Sequence, residues 1–142
     1  MKRWAMGARR IVAIRGRMRD WTFTASRMPW RSASMLLPKY ELYEEGSQAR
    51  RSSKSVSSQI VEGHALRQYH AEYLHYLARS YGSAEETVEH LQYLLETCSA
   101  SRVEDECRSL LQEYAVLCRK LYNYMQSVDR ESASKRRVRA KP

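Results

Sequence analysis

The sequence predicts an all-α protein, an antiparallel up-down four-helix bundle whose first helix is atypical or degenerate. Apolar or small residues recur at steps of three and four along most of residues 42–128, the spacing of one helix face. A short turn joins two long amphipathic stretches, which predicts a helical hairpin. The length of 142 residues suits one domain with a sizeable core and tails.

Residues 1–36 are predicted to be a basic N-terminal segment, for which three interpretations stay open. Apolar residues before Pro29 follow a helical rhythm, which favours an amphipathic helix, although Gly7 and Gly16 weaken it. The Arg-rich, acid-poor composition also matches an organelle transit peptide. A poorly ordered segment is the third interpretation.

The bundle domain is predicted to span residues 37–128 and to begin with a helix that follows Pro38. This helix contains a serine-rich segment, residues 43–63, with a seam of mostly small residues. Such a seam lets two helix backbones approach closely, while the other faces project cations. The seam consists of Leu42, Gly46, Ala49, Ser53, Val56, Ile60 and Gly63.

The next helix is predicted to start after Gly63 and to keep one face for about 33 residues, or about 50 Å. Gly82 inside it would mark a bend or a close crossing. Its predicted face consists of Leu66, His70, Tyr73, Leu77, Tyr81, Ala84, Val88, Leu91, Leu95 and Cys98.

The last helix is predicted to follow Ser101, an N-cap whose capping-box partner is Glu104. After Val128 the chain becomes polar and basic, so residues 129–142 are predicted to be a disordered tail. The seam of the last helix alternates steps of four and three through Val103, Cys107, Leu110, Tyr114, Leu117, Leu121, Tyr124 and Val128.

The formal net charge of +9 resides in the ends of the chain. Residues 1–37 contain nine Lys or Arg and one Asp, and residues 129–142 contain six Lys or Arg and two acidic residues. Residues 38–128 contain ten Lys or Arg and thirteen acidic residues, so the bundle domain is mildly acidic. Basic ends bind polyanions without specificity, so the overall charge indicates little about the folded surface.

The three cysteines, Cys98, Cys107 and Cys118, include no C-x-x-C pair, which argues against a disulfide framework and a zinc site. Their positions on or beside the apolar faces are typical of small buried hydrophobes. No apolar run is long enough to span a membrane. We therefore expect a cytoplasmic protein with reduced thiols and no membrane partner.

Two stretches, Leu37–Val56 and Ile60–Gly63, resemble the bacterial four-helix-bundle family first noticed as 23S rRNA intervening-sequence proteins. The basic and serine-rich block, the Ile-Val-Glu-Gly turn and the tyrosine-rich helix that follows occur in the order and spacing of that family, over about residues 36–128. The resemblance implies a bundle that assembles as a homopentamer. It also implies a relation to the accessory protein of diversity-generating retroelements, which binds nucleic acid and a reverse transcriptase.

The chain departs from the family pattern at several positions. Ala49 replaces a bulky aliphatic residue, a proline usual near Ser57 is missing, and Gln59 replaces an asparagine. Residues 1–35 lack the mixed-charge first helix of the family, and translation of that helix in another reading frame would give such a segment.

Arg50, Arg51, Lys54 and Arg67 are the candidate nucleic-acid-binding residues, because guanidinium and ammonium groups suit phosphate oxygens. Ion pairs with the acidic residues of neighbouring helices or subunits are the competing explanation. The six serines between residues 47 and 58 would add hydroxyl contacts or save space at a close helix crossing.

The sequence contains ten tyrosines and only one phenylalanine. The candidate oligomer interface consists of Tyr69, Tyr73 and Tyr76. Tyrosine has an apolar ring and a polar hydroxyl group, so it suits a surface that is exposed to water before assembly. A bundle core with hydroxyls at its rim and base stacking on single-stranded nucleic acid are the alternatives.

No catalytic, metal or cofactor site is predicted. Glu72 and His75 have the Glu-x-x-His spacing of di-iron bundles, but no second pair accompanies them. His90 is interpreted as a solvated neighbour of Glu86. Gly46 and Gly63 are isolated and form no phosphate loop.

The sequence therefore predicts a non-enzymatic, oligomeric protein that acts as a nucleic-acid-associated adaptor or assembly factor. The predicted partners are a second copy of the chain, RNA or DNA, and a reverse transcriptase. The alternative is a purely structural homo-oligomer whose basic tails are incidental.

Overall fold

The computed structural model describes residues 37–97 and 102–139, apart from the side chains of Leu42 and of residues 135–139. These ranges are helical and contain no strand, so the all-α prediction is confirmed for them. A first bundle helix would come from residues 1–36, which lie outside the description. The elements are a 3₁₀ helix at Lys39–Leu42 and three α-helices, α1 (Glu45–Ala65), α2 (His70–Glu96) and α3 (Glu104–Arg139).

The α1 and α2 helices pack antiparallel, as the up-down bundle prediction requires for adjacent helices. Ser52, in the first half of α1, contacts Thr87 in the second half of α2. Gly63, near the end of α1, faces Tyr76 near the start of α2. The α3 helix then packs antiparallel to α2, since Tyr73 and Tyr124 meet near the start of one and in the second half of the other.

The predicted small-residue seam of α1 is confirmed wherever side chains are described. Ala49, Ser53, Val56 and Ile60 are fully buried. Gly63 lies so close to α2 that a Cβ atom built on it would stand 2.9 Å from the Cβ of Tyr76. The seam therefore brings two helix backbones together, which larger side chains would prevent.

The boundary between α1 and α2 differs from the prediction. The α1 helix ends at Ala65 and α2 begins at His70, so Leu66 lies in a turn and not on the predicted long face. The backbone N–H of Leu66 donates to the carbonyl oxygens of Glu62 and Gly63, and that of Tyr69 donates to Leu66 O. No Gly or Pro occupies residues 64–69, so the sequence carried no signal of this turn.

The buried face of α2 includes polar residues that the prediction omitted. Tyr73, Leu77, Ala84 and Leu91 are buried as predicted. Ser80, Thr87 and Leu94 are also buried, while the predicted Tyr81, Val88 and Leu95 are only half-buried at the edge of the core. The buried set alternates steps of four and three, and the hydroxyl groups of two members hid it from a pattern of apolar residues.

Gly82 does not lie at a close helix crossing. It is exposed, α2 continues through it without a break, and a Cβ atom built on it would meet nothing within 4 Å. The predicted alternative of a close crossing at Gly82 was therefore wrong.

The α3 helix follows its predicted seam and then exceeds its predicted length. Its seam is buried from Val103 to Leu121, and Tyr124 and Val128 are half-buried. The helix starts at Glu104 and continues to Arg139, so residues 129–139 are helical and not the disordered tail expected from their composition. Ala, Arg and Lys favour helices, and cations in the last turns interact favourably with the helix dipole.

The core consists of two clusters that all three helices share. The cluster at residues 56–60 of α1 and residues 114–121 of α3 contains Val56, Ile60, Ala84, Tyr114, Leu117, Cys118 and Leu121. The cluster beside the start of α1 and of α3 contains Leu37, Ala49, Leu91, Leu94, Val103, Cys107 and Leu110.

Candidate nucleic-acid interface

Three of the four predicted cations lie together on α1, on faces that the seam leaves outside. Arg51 and Lys54 are exposed, whereas Arg50 is half-buried. Arg51 and Lys54 are three residues apart and therefore neighbours on the helix surface. They make no ion pair with any residue in the described ranges.

Ion pairs with the acidic residues of neighbouring helices were the competing explanation for these cations. Two of the acidic residues considered as partners pair elsewhere: Glu86 lies 3.7 Å from His90, and Glu104 binds Arg108 at 2.6 Å. Among the described residues, Arg51 and Lys54 thus have no acidic partner and are available for a polyanion.

The serines of α1 bind their own helix. Ser55 Oγ donates to Arg51 O at 3.1 Å, and Ser57 Oγ donates to Lys54 O at 3.0 Å. Ser53 Oγ likewise donates to Arg50 O at 3.0 Å. These hydroxyl groups satisfy backbone carbonyls and keep the surface of α1 narrow, so the space-saving interpretation describes them better than phosphate contacts do.

Arg67 lies apart from the other three cations. It occupies the turn after α1 and donates from Nη1 to His64 O at 3.0 Å. The eleven residue steps from Lys54 to Ala65 alone span about 16 Å of helix. Arg67 therefore belongs to the end of the bundle where α2 begins and cannot share one phosphate with Arg51 and Lys54.

The three candidate interface tyrosines have different environments within the chain. Tyr69 is 58 % exposed, whereas Tyr73 is 6 % exposed and already buried inside the chain. Tyr73 Oη lies 2.9 Å from Tyr124 Oη, and burial, followed by this hydrogen bond, raises the pKa of Tyr73. Tyr76 is half-buried beside Gly63, and the Arg79 guanidinium lies 5.8 Å from its ring centroid.

A groove between α2 and α3, of about 590 Å³, was not predicted. The rings of Tyr81 and Tyr122 line it with centroids 6.1 Å apart, and Arg119 adds a cation. The Glu85 carboxylate at this groove raises the pKa of Tyr81, and burial followed by Glu85 raises the pKa of Cys118. The sequence carried only a weak signal for this groove, since Tyr81 was assigned to the inner face of its helix.

The two described thiols are poorly suited to nucleophilic chemistry. Burial, and then the charge of Glu106, raises the pKa of Cys107 to about 11. Burial, and then Glu85, raises the pKa of Cys118 to about 12. Both thiols are therefore protonated at neutral pH, and a thiol is a weaker nucleophile than a thiolate. Cys98 lies outside the described residues.

Glu72 and His75 are both exposed, so their shared spacing does not direct them into the core. Across residues 37–97 and 102–134, no group of three or more His, Cys, Asp or Glu side chains is arranged to hold a metal ion. His90 differs from its prediction, because it is largely buried and its Nδ1 lies 2.5 Å from Glu45 Oε2. It therefore joins α2 to the first turn of α1.

Comparison with known proteins places this arrangement in a family. The model of the 23S rRNA-intervening sequence protein family matches residues 29–123, which is more than half of the chain. No curated protein and no solved structure matches the sequence. No helix in the described part of the chain is long and apolar enough to cross a membrane. The chain therefore belongs to the 23S rRNA-intervening sequence protein family.

Proposed function

We propose that this protein is a non-enzymatic adaptor or assembly factor that binds nucleic acid and works as a homo-oligomer. The observation that carries the proposal is the pair of exposed cations, Arg51 and Lys54, on a helix whose opposite face is locked into the core. The family name, which refers to ribosomal RNA, supports nucleic acid as the partner.

The rigidity of α1 makes these cations more than ordinary surface charges. The Ala49 and Ser53 side chains beside them are completely buried against the neighbouring helices. Their backbone positions are therefore fixed before a ligand arrives, and less conformational entropy is lost on binding. Residues 38–128 are mildly acidic, so this basic pair is a local feature that orients a phosphate backbone.

The test compares the full chain with the double variant Arg51→Ala/Lys54→Ala on a 30-nucleotide RNA hairpin, by fluorescence anisotropy across a salt series. We expect weaker binding and a salt slope smaller by up to about 2, because each lost phosphate contact removes close to one counterion. Arg119→Ala/Lys120→Ala removes two exposed cations from α3 and serves as the control. Equal losses in both variants would show that only net charge matters, against the proposal.

Exposed aromatic rings support the oligomeric part of the proposal and also a purely structural homo-oligomer. Tyr40, Tyr43, Tyr69 and Tyr122 are between 49 % and 84 % exposed. Tyrosine contributes large contact areas in interfaces at low entropic cost. Light scattering of the full chain tests assembly, for which the family resemblance implies five copies of 16.7 kDa. A monomer at micromolar concentration would contradict it.

In the purely structural alternative, any RNA binding comes from the basic chain ends and not from α1. If the folded surface carries no function, the Arg51→Ala/Lys54→Ala variant binds RNA as well as the parent, and assembly is unchanged. The reverse-transcriptase partner implied by the resemblance stays a prediction, which co-purification with such an enzyme would test.

A further inference from the structure

The α3 helix is longer than its neighbours and extends past them at one end. It has 36 residues, against 27 in α2 and 21 in α1. His70, the first residue of α2, lies with its Nε2 3.7 Å from Asp129 Oδ1. The ten residues after Asp129 therefore continue beyond the start of α2, over about 15 Å. We call residues 130–139 the C-terminal arm.

The arm is strongly basic. It contains five basic residues, Arg130, Lys135, Arg136, Arg137 and Arg139, and one acidic residue, Glu131. Val128 is the last member of the seam of α3. Of the described side chains of the arm, Arg130, Glu131 and Ser134 are exposed, whereas Ser132 and Ala133 are half-buried. The arm therefore has an exposed polar side that a charged partner can approach.

Helical spacing places these five sequence positions around the axis of the helix. At about 100° per residue, positions 130 and 137 fall on one side, 135 and 139 on nearly the opposite side, and 136 between them. A flat surface or a single strand can contact one side of such a helix. A groove flanked by two phosphate backbones can contact all of its sides at once.

We propose that the C-terminal arm is a helical element that enters the groove of a nucleic-acid duplex. This inference rests on the proposed function and assigns a partner class to one end of the molecule. The arm requires two phosphate backbones on either side of a groove about 12 Å wide. B-form DNA offers such a groove as its major groove. An RNA duplex offers it only where a bulge widens its deep and narrow major groove.

Arg67 strengthens the basic character of the end from which the arm departs. It is exposed in the turn before α2, and its charge acts on Tyr73, whose hydroxyl group binds Tyr124 on α3. A duplex that holds the arm thus meets a further cation at the end of the bundle.

The experiment separates helical structure from charge. Ala133→Pro kinks or breaks the arm, because proline clashes with the carbonyl of residue 129, but it leaves every charge in place. Ala133→Ser is the matched control, since serine is tolerated in helices. Both are made in the full chain and measured on a 20-base-pair DNA duplex, a plain and a bulged RNA duplex of that length, and a 20-nucleotide single strand.

We expect Ala133→Pro to weaken binding to the DNA duplex, the bulged RNA duplex or both by about tenfold or more, and Ala133→Ser to leave it within about twofold. Binding to the single strand should change little in either variant. If the Ala133→Pro variant binds the duplexes as tightly as the parent chain does, the inference is overturned and the arm acts as an unspecific basic tail. An equal loss on the single strand would overturn it as well.

A second variant keeps the inference testable if Ala133→Pro disturbs the bundle, which its thermal unfolding would reveal. Replacing Lys135, Arg136, Arg137 and Arg139 by glutamine should reduce the salt slope on the DNA duplex by about 3 to 4. An unchanged slope would overturn the inference. If the parent chain binds none of the probes, the proposed function fails too. If only the Arg51→Ala/Lys54→Ala variant weakens binding, the function stands and the arm is not its duplex contact.

Discussion

Ser52 on α1 and Thr87 on α2 share a hydrogen bond, with 2.8 Å between their hydroxyl oxygens, and both side chains are buried. Thr87 Oγ1 donates to Ser83 O at 2.8 Å, so Ser52 supplies the hydrogen of the shared bond. Ser52 Oγ also lies 3.2 Å from Ala49 O, which can share that hydrogen. Two polar side chains thus occupy the centre of a helix interface without an unsatisfied hydroxyl group.

Thr87→Val should lower the free energy of unfolding by about 1 kcal/mol, since valine keeps the shape of threonine and removes the hydrogen bond. A double-mutant cycle with Ser52→Ala, measured by denaturant unfolding, should give a coupling energy of about 0.5–1 kcal/mol. Ser55→Ala is the control, because Ser55 Oγ donates only to Arg51 O on the exposed side. A coupling energy near zero would contradict the hydrogen bond between Ser52 and Thr87.

Alanine at the two glycines of the hairpin should have opposite effects. At Gly63 the new Cβ would stand 2.9 Å from the Cβ of Tyr76, and such overpacking costs about 1–3 kcal/mol. At Gly82 nothing lies within 4 Å, so alanine should stabilise α2 by up to about 1 kcal/mol. Thermal unfolding of both variants tests this, and a stabilised Gly63→Ala variant would contradict the close crossing.

Stability should fall in alkaline solution. The folded chain holds the Cys118 thiol proton more tightly than the unfolded chain, because burial and Glu85 raise its pKa from 9.0 to about 12. This contribution is complete below pH 9 and decreases as the pH rises from there towards 12. Cys118→Ala removes the thiol, so the free energy of unfolding should decrease less steeply with pH, by up to about 1.4 kcal/mol per pH unit.

Denaturant unfolding of the parent and of Cys118→Ala between pH 7 and pH 11 measures this effect. Cys107, whose pKa burial raises from 9.0 to about 11, adds to the fall in both proteins. Parallel profiles of the two proteins would show that Cys118 titrates alike in the folded and unfolded states.

Tyr124→Phe should cost about 1 kcal/mol or more, because it leaves the Tyr73 hydroxyl group without its partner at 2.9 Å. Tyr122→Phe is the matched control on the same helix, since Tyr122 is 49 % exposed. The change should alter the free energy of unfolding by less than about 0.5 kcal/mol. Equal effects at the two positions would argue against the buried tyrosine pair.

The periodic spacing of apolar and small residues made much of the fold predictable. The seam of α1 was evident because Ala49, Val56 and Ile60 are all apolar and correctly spaced. The α2 seam was only partly found, since Ser80 and Thr87 are buried through hydrogen bonds that depend on another helix: Ser80 Oγ donates to Val56 O at 3.1 Å. Such partners are 24 residues or more away in the chain and leave no local pattern.

The candidate site was predictable in composition but not in arrangement. The sequence places Arg51 and Lys54 on one helix, and the structure keeps them exposed there. It could not show that Arg67 lies at the other end, because the turn at residues 66–69 has no breaker residue. The helical state of residues 129–139 was missed for a similar reason: composition alone describes charge and not conformation.

The hydroxyl groups between α1 and α2 also determine how these two helices are aligned along their axes. Apolar heptads can slide by seven residues and still meet apolar partners, so they specify alignment weakly. A slide here would separate Ser52 from Thr87 and Ser80 from Val56 O, and would leave buried hydroxyl groups unpaired. The polar seam therefore acts against misaligned pairing, both within one chain and between chains that exchange a helix.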